Sequence, residues 1–320
     1  MGFNITELTG SNVAAILAAL QALCPDLVTT SQKGLLAPDA EAIQAGFIKL
    51  ATASNKGLMS KQYAALLDAP EALQFIEGKA LTQNAGFHNS LYRGKSLGSS
   101  VSAAQYAAIS AGTFDGMFIG DYWTINGVNW RIAAFDYWYN YGDTACTTHH
   151  VVVVPDSNLT SGGLNSSNIT TGAYVGSDYY TGNNSNTLKS TAKSAIENAF
   201  GSGHILTHRE YLANATTSGY QSAGAWYDST FELMTEQMVY GGKVFCSRSA
   251  GSSIPADYTI GHAQLPLFAH DHTRICNRAL WWLRDVVSAT YFAFVDHDGN
   301  AAYYYASNGF GIRPAFGIRA

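Results

Sequence analysis

The chain has 320 residues, a formal net charge of −5 and only 13 % charged residues, while Gly (31) and Tyr (19) are abundant. That length points to two domains. The absence of a Lys/Arg run excludes the basic stripe that nucleic acid requires, and no run of about 18 apolar residues exists to insert into a membrane. The N-terminus has no basic segment leading into an apolar core, so no secretory leader is expected. Cys24, Cys146, Cys246 and Cys276 stand far apart without a Cys-x-x-Cys pair, and are expected as free thiols in a chain made in a cytoplasm.

Residues 1–90 are rich in Ala and Leu, and Asn12–Leu23 and Ala37–Leu50 have the apolar spacing of helices. A 23-residue repeat lies within them: Thr29-Thr30-Ser31-Gln32-Lys33-Gly34-Leu35-Leu36 returns as Thr52-Ala53-Ser54-Asn55-Lys56-Gly57-Leu58-Met59. Two copies are too few for a free-standing solenoid, and such short helices need a partner surface. Residues 91–111 have the composition of a connector, with Gly94, Gly98 and an Ala-rich helix from Ser102 to Ser110.

From Gly112 the texture changes. Phe118 to Ile132 predicts two strands around Asn126-Gly127, a strong hairpin signal. Val151–Val154 predicts a buried strand, Thr160 to Asn186 an exposed loop with a short strand near Tyr174, and Leu188–Ala199 a helix with Leu188, Ala192, Ile196 and Ala199 on one face. Thr207–Leu212 fits a short strand or helix start, and Phe231–Tyr240 is mixed, with Glu232, Glu236 and its Met residues suiting a helix. Propensity alone gives a loop-rich α+β class.

The last forty residues carry most of the functional information. Between Trp281-Trp282-Leu283-Arg284 and Gly311-Ile312-Arg313-Pro314-Ala315-Phe316 stand Tyr291, Phe294, Asp296, His297, Asp298, Ala302, Tyr303, Tyr304, Tyr305, Asn308, Gly309 and Phe310, interleaved with small or framing residues such as Ala293, Val295, Gly299, Ala301, Ala306 and Ser307. Tyr-rich surfaces mixed with small polar residues are the chemistry of antibody-like contact sites. Tyr303, Tyr304 and Tyr305 are consecutive, so a strand must turn at least one of them outward. The reading is a recognition surface.

Trp282-Leu283-Arg284, Phe292-Ala293, Gly299-Asn300-Ala301, Ala306-Ser307 and Gly311 to Phe316 resemble the framework of variable proteins diversified by retroelements in phages and gut bacteria, typified by the phage major tropism determinant. That resemblance implies a C-type-lectin fold over residues 112–320 and a ligand site rewritten mostly at Asn codons. None of the contact-type residues is Lys, Glu, Gln, Met or Trp, the residues unreachable from an Asn codon by changing its first two bases. The Lys-Gly-Leu-Met-Ser stretch at Lys56–Ser60 is similar to modules of phage tail and head fibres, where short helices pack around a three-fold axis. The two resemblances together imply a homotrimeric, non-catalytic receptor-binding protein of a virion, tail or head fibre. Its N-terminal region would engage other virion proteins, and residues 291–310 a bacterial surface protein or glycan. A structural fibre without a specific ligand and a surface-glycan hydrolase are the alternatives.

Other constellations weigh less. Asp296-His297-Asp298-Gly299-Asn300 starts like a calcium loop but lacks the distal Glu. His270-Asp271-His272 and His149-His150 lack a placeable third zinc ligand, so no metal or other cofactor is expected. No Gly-x-Ser-x-Gly elbow is present. His204, His208 and Glu210 are acid–base types more often structural, and Cys246 with Cys276 is the one cysteine pair in a shared region. A hydrolase would need paired carboxylates from Asp121, Asp136, Asp143, Glu232 and Glu236, none singled out by spacing. Asp136 to Asp143 is a second aromatic cluster expected in the core, and Trp281, Trp282, Arg284 and Arg313 read as scaffold.

Overall fold

A computed structural model describes residues 84–170, 185–212, 216–217, 220–221, 225–246 and 263–320. The chain divides into two units, Met1–Leu81 and Thr82–Ala320. The predicted N-terminal helices, the repeat, Cys24 and Tyr174 lie outside the described residues.

The second unit is α+β with mostly β content. It opens with α1 (Ala85–Asn89) and α2 (Ala103–Ala111). Ser102 caps α2: its hydroxyl accepts from the Gln105 amide while the Gln105 side chain accepts from the Ser102 amide. The expected hairpin follows as β1 (Tyr122–Ile125) and β2 (Val128–Phe135), with Ile125 opposite Val128. Asn126 and Gly127 both take positive φ (52° and 78°), the backbone that a two-residue turn between twisted strands demands.

β3 (Val151–Pro155) is buried along its whole length, as its run of valines predicts. It sits between β2 and the C-terminal β14 (Pro314–Ile318), and the first sheet runs β1-β2-β3-β14-β9, with β9 at Glu232–Leu233. The second sheet runs β12-β11-β10-β13-β4, from β12 (Ala301–Tyr305), β11 (Tyr291–Val295) and β10 (Trp281–Val286) to β13 (Phe310–Ile312) and β4 (Thr160–Gly162). Among the described residues there are also two short pairs, β5 (His208–Leu212) with β8 (Ala225–Ser229), and β6 (Thr216–Thr217) with β7 (Tyr220–Gln221). Helix α3 (Ser185–Phe200) buries Leu188, Ala192, Ile196 and Phe200 in the common core. It begins before the predicted start, and Phe200 fills the place expected of the half-buried Ala199. Among the described residues the remaining α-helices are α4 (Glu236–Tyr240) and α5 (Pro266–His270).

Only Arg313 separates β13 from β14, so the chain crosses from one sheet to the other at that residue. Its buried guanidinium donates to the carbonyls of Pro155 (2.8 Å), Ile275 (3.1 Å) and Arg274 (3.0 Å), fixing the crossing as its sequence position implied. Burial pulls its pKa down to about 10.

Two expectations need correcting. Residues 91–111 do not form a connector ahead of a domain starting at 112. Ile109 is fully buried in the core, Tyr92 bridges to Ile119, and the unit begins at Thr82. Glycine and serine there serve strand-edge pairing instead of linkage. Nor is the stretch after Thr160 simply exposed loop: β4 joins the second sheet, and Leu164 and Thr170 are fully buried.

Candidate functional site

β11 and β12 form an antiparallel ribbon at the end of the second sheet, paired Tyr291↔Tyr305, Phe292↔Tyr304, Ala293↔Tyr303, Phe294↔Ala302 and Val295↔Ala301. β11 is the buried member, with Phe292, Ala293 and Val295 inaccessible to solvent. β12 is the exposed one. All three consecutive tyrosines are open, Tyr303 at 45 %, Tyr304 at 44 % and Tyr305 at 38 %, where the sequence required only one to be. An edge strand permits this because both of its faces reach solvent. Tyr291, Tyr303 and Tyr305 share one face, with ring centroids 5.4 and 4.6 Å from Tyr291. Tyr304 lies on the other, 5.9 Å from Phe310. A hydrogen bond with Tyr305 raises the Tyr291 hydroxyl above its ordinary pKa.

The structure brings the predicted contact residues to one end of the molecule's second sheet but sorts them by depth. Tyr303, Tyr304, Tyr305, His297, Asp298 and Gly309 are exposed, and Tyr291, Asp296, Ala302 and Asn308 are half-buried. Phe294 and Phe310 are not surface anchors: they are 8 % and 9 % exposed, 4.5 Å apart, and Phe310 lies 4.5 Å from the buried Trp282. The indole of Trp282 is held by donating to the Gly162 carbonyl (2.9 Å), so this aromatic stack has a fixed floor. Asp296 also differs from expectation. Its carboxylate accepts from the Asp298 and Asn300 amides and the Asn300 side chain, closing the β11–β12 turn. Slight burial opposes ionisation there, yet those hydrogen bonds outweigh it and hold the carboxyl below its ordinary pKa. Asp296 is therefore a turn residue first.

Framework residues explain why the surface stays in register. Gly311 packs so closely on Asn158 that a Cβ would come within 1.8 Å of its amide nitrogen. The same amide nitrogen donates to the Leu280 carbonyl, so a side chain at 311 would break the seam beside β10. Arg284 of β10 and Glu210 of β5 form a fully buried ion pair (2.9 Å), and Glu210 also accepts from the Trp138 indole (2.8 Å). His208 stacks on Trp138 at 3.9 Å and approaches Glu210 at 3.2 Å. This places Trp138 of the second aromatic cluster in the core, as expected, with Tyr139 at its surface.

Val244 and Phe245 carry no signal along the chain that marks them as part of the site. The buried Glu236 carboxylate accepts from the amides of Val244, Phe245 and Cys246, folding that loop back and setting the Phe245 ring 5.1 Å from Tyr303. Val244 and Phe245 are 51 % and 38 % exposed, so they extend the aromatic surface. Asp285 accepts from the Glu236 amide. Burial first, and the nearby Glu236 charge second, push its pKa up to about 7. The acidic pair thus anchors the loop beside the tyrosines.

The remaining candidates are occupied structurally. Asp121 pairs with Arg93, Asp136 with His149, and Asp143 with Arg209, while Ser229 donates to Glu232. His150 accepts from the Trp138 amide, and burial pulls its pKa down to about 3, so it is neutral. His204 stacks on Tyr106, and its Nδ1 lies 3.0 Å from the Arg319 carbonyl. Among the described residues no group of three or more His, Cys, Asp or Glu is placed to hold a metal ion, and no helix is long and apolar enough to cross a membrane. Cys146, Cys246 and Cys276 are free; Cys246 is buried, the other two partly accessible. Burial and the neighbouring Asp285 and Glu236 raise the Cys246 thiol far above its ordinary value, leaving it unreactive.

No curated protein and no solved structure matches this chain. Residues 181–320, which include α3 and the whole β10–β14 segment with its tyrosine ribbon, are similar to the family described as "Domain of unknown function (DUF6273)".

Proposed function

We propose that this chain is a recognition protein without catalytic activity, and that the β11–β12 ribbon is its ligand-binding surface on a C-type-lectin-like scaffold. One observation carries the reading: three consecutive tyrosines stand open on β12 while their partner strand is locked into the core. Rigid tyrosines give large contact area at low entropic cost, and a few such anchors dominate binding energy. A surface built this way acquires a new ligand when its anchors change and its framework does not. That is the logic of retroelement-diversified variable proteins, which the framework from Trp282 to Phe316 resembles.

The protein then serves host attachment in a phage virion, on a tail or head fibre. Its ligand is a bacterial surface protein or glycan. The N-terminal region, similar to fibre modules, joins it to other virion proteins and trimerises it. Trimeric presentation converts modest single-site affinity into avidity.

Two experiments test this. Sequencing the DNA downstream of the gene should find a near-copy of codons 277–316 that differs only where it carries adenines, beside a reverse transcriptase gene. A complete genome lacking it removes the diversification reading. Independently, changing Tyr303, Tyr304 and Tyr305 together to Ser should abolish adsorption of the assembled particle to its host cells. Unchanged adsorption would make the protein a structural fibre component.

A further inference from the structure

We infer that the outer edge of β12 takes up an extended segment of a partner protein as an additional strand of the second sheet. This deepens the recognition reading, on which it rests, by naming the ligand as protein. The hydrogen-bond register decides which groups are available. The Ala306 amide donates to the Thr290 carbonyl and the Asp296 amide to the Asn300 carbonyl. Bonded pairs alternate along an antiparallel ladder, so Tyr304 and Ala302 bond inward to Phe292 and Phe294. Ala301, Tyr303 and Tyr305 therefore direct their amides and carbonyls away from β11. The Tyr305 carbonyl accepts from Asn308; among the described residues nothing bonds the outward main-chain groups of Ala301 or Tyr303.

Such an edge is normally guarded by charge, proline, a bulge or a covering segment. The first sheet shows a covered one: Leu97 donates to Tyr122, Tyr122 to Lys95, and Thr124 to Gly98, so residues 95–98 screen β1. Among the described residues β12 has none of these devices. It reads Ala-Ala-Tyr-Tyr-Tyr, unbroken in register over five pairs with β11. Its free groups recur at every second residue, which is the spacing of an extended peptide.

The flanking side chains describe the occupant. An added strand sends successive side chains to opposite faces. One row meets Tyr291, Tyr303, Tyr305 and Phe245, the other Tyr304, Ala302 and the rim of Phe310. Both rows favour apolar or aromatic residues. At the Asp296–Asn300 turn, the Asp298 side chain is 71 % exposed and Asp296 is held ionised. The fitting segment is thus an uncharged extended stretch with a Lys or Arg at the end facing that turn.

The test uses the full chain and a displayed library of random peptides. Peptides selected on it are resynthesised with one N-methyl group at each position in turn. Strand addition predicts losses of about tenfold or more at alternate positions, with little effect between them. Tyr303→Pro, which removes an outward amide without touching the β11 ladder, should weaken the same peptides more than Tyr303→Thr does. Melting curves check that both variants fold, and the N-methyl scan does not depend on either. Three outcomes overturn the inference: no period-two pattern, no peptide selected while a bacterial glycan binds at the tyrosines, or self-association abolished by Tyr303→Pro, which makes a second copy the occupant. The glycan outcome leaves the recognition reading standing. That reading falls separately, if changing the tyrosines leaves adsorption unaltered.

Discussion

The interior beneath β10 and the ribbon of β11 and β12 reverse the usual distribution of side chains. Glu210, Arg284, Asp285, Glu236 and Arg313 are buried, whereas Tyr303, Tyr304, Tyr305, Val244 and Phe245 are exposed. Buried ions are costly unless paired and hydrogen-bonded, and they tolerate almost no change of partner. Exposed aromatics are inexpensive to replace because solvent takes their place. A chain that must hold one backbone while changing its contacts gains from this arrangement: the groups that fix geometry cannot vary, and the groups that vary do not fix geometry.

The comparison breaks most visibly at its ionic floor. Glu210→Ala leaves the Arg284 guanidinium buried without its carboxylate and should cost about 3–5 kcal/mol, read as a shifted denaturant midpoint. A loss under about 1 kcal/mol would mean the pair is solvated. Arg284→Ala should likewise damage folding before specificity.

Phe294→Ala tests the boundary between the two regions. A surface anchor would tolerate it, but a ring packed on Phe310 and Trp282 should cost about 3 kcal/mol. Calorimetric melting distinguishes the two, and an unchanged melting temperature would return Phe294 to the surface set.

The acidic pair sharpens the comparison through pH. Asp285 has a folded pKa raised to about 7, above the unfolded value near 4. The native state therefore holds more protons than the unfolded chain between about pH 4 and 7. This group's stabilising contribution is complete below that window and is lost as pH rises through it. Urea unfolding of the parent across the window should show the decline, and Asp285→Asn should flatten it while raising stability at pH 8. A parent whose stability does not fall across the window, with Asp285→Asn no different, would contradict the assignment. The Glu236 loop should loosen with it, exposing Phe245 to faster hydrogen exchange.

The smallest effect on stability belongs to the ribbon. Tyr304→Ala should change unfolding free energy by less than about 1 kcal/mol, yet reduce adsorption strongly. Comparable losses in both measurements would make the tyrosine a packing residue.

Sequence by itself determined the elements whose signals are local. Asn126-Gly127 specified its hairpin because few other residues accept two positive φ angles, the valines of β3 specified a buried strand, and the spacing of Leu188, Ala192 and Ile196 specified α3. It also located the tyrosine surface, since three consecutive aromatics cannot all be buried by one strand. Tertiary structure alone decided depth and company. Phe294 and Phe310 have the same composition signal as their exposed neighbours, and only the Trp282 stack buries them. Asp296 became a turn acceptor, residues 95–98 became an edge cover, and Phe245 reached Tyr303 through a loop gathered by Glu236. Each of these depends on contacts between residues remote in the chain or on the angle of a turn, and neither is encoded in spacing along the sequence.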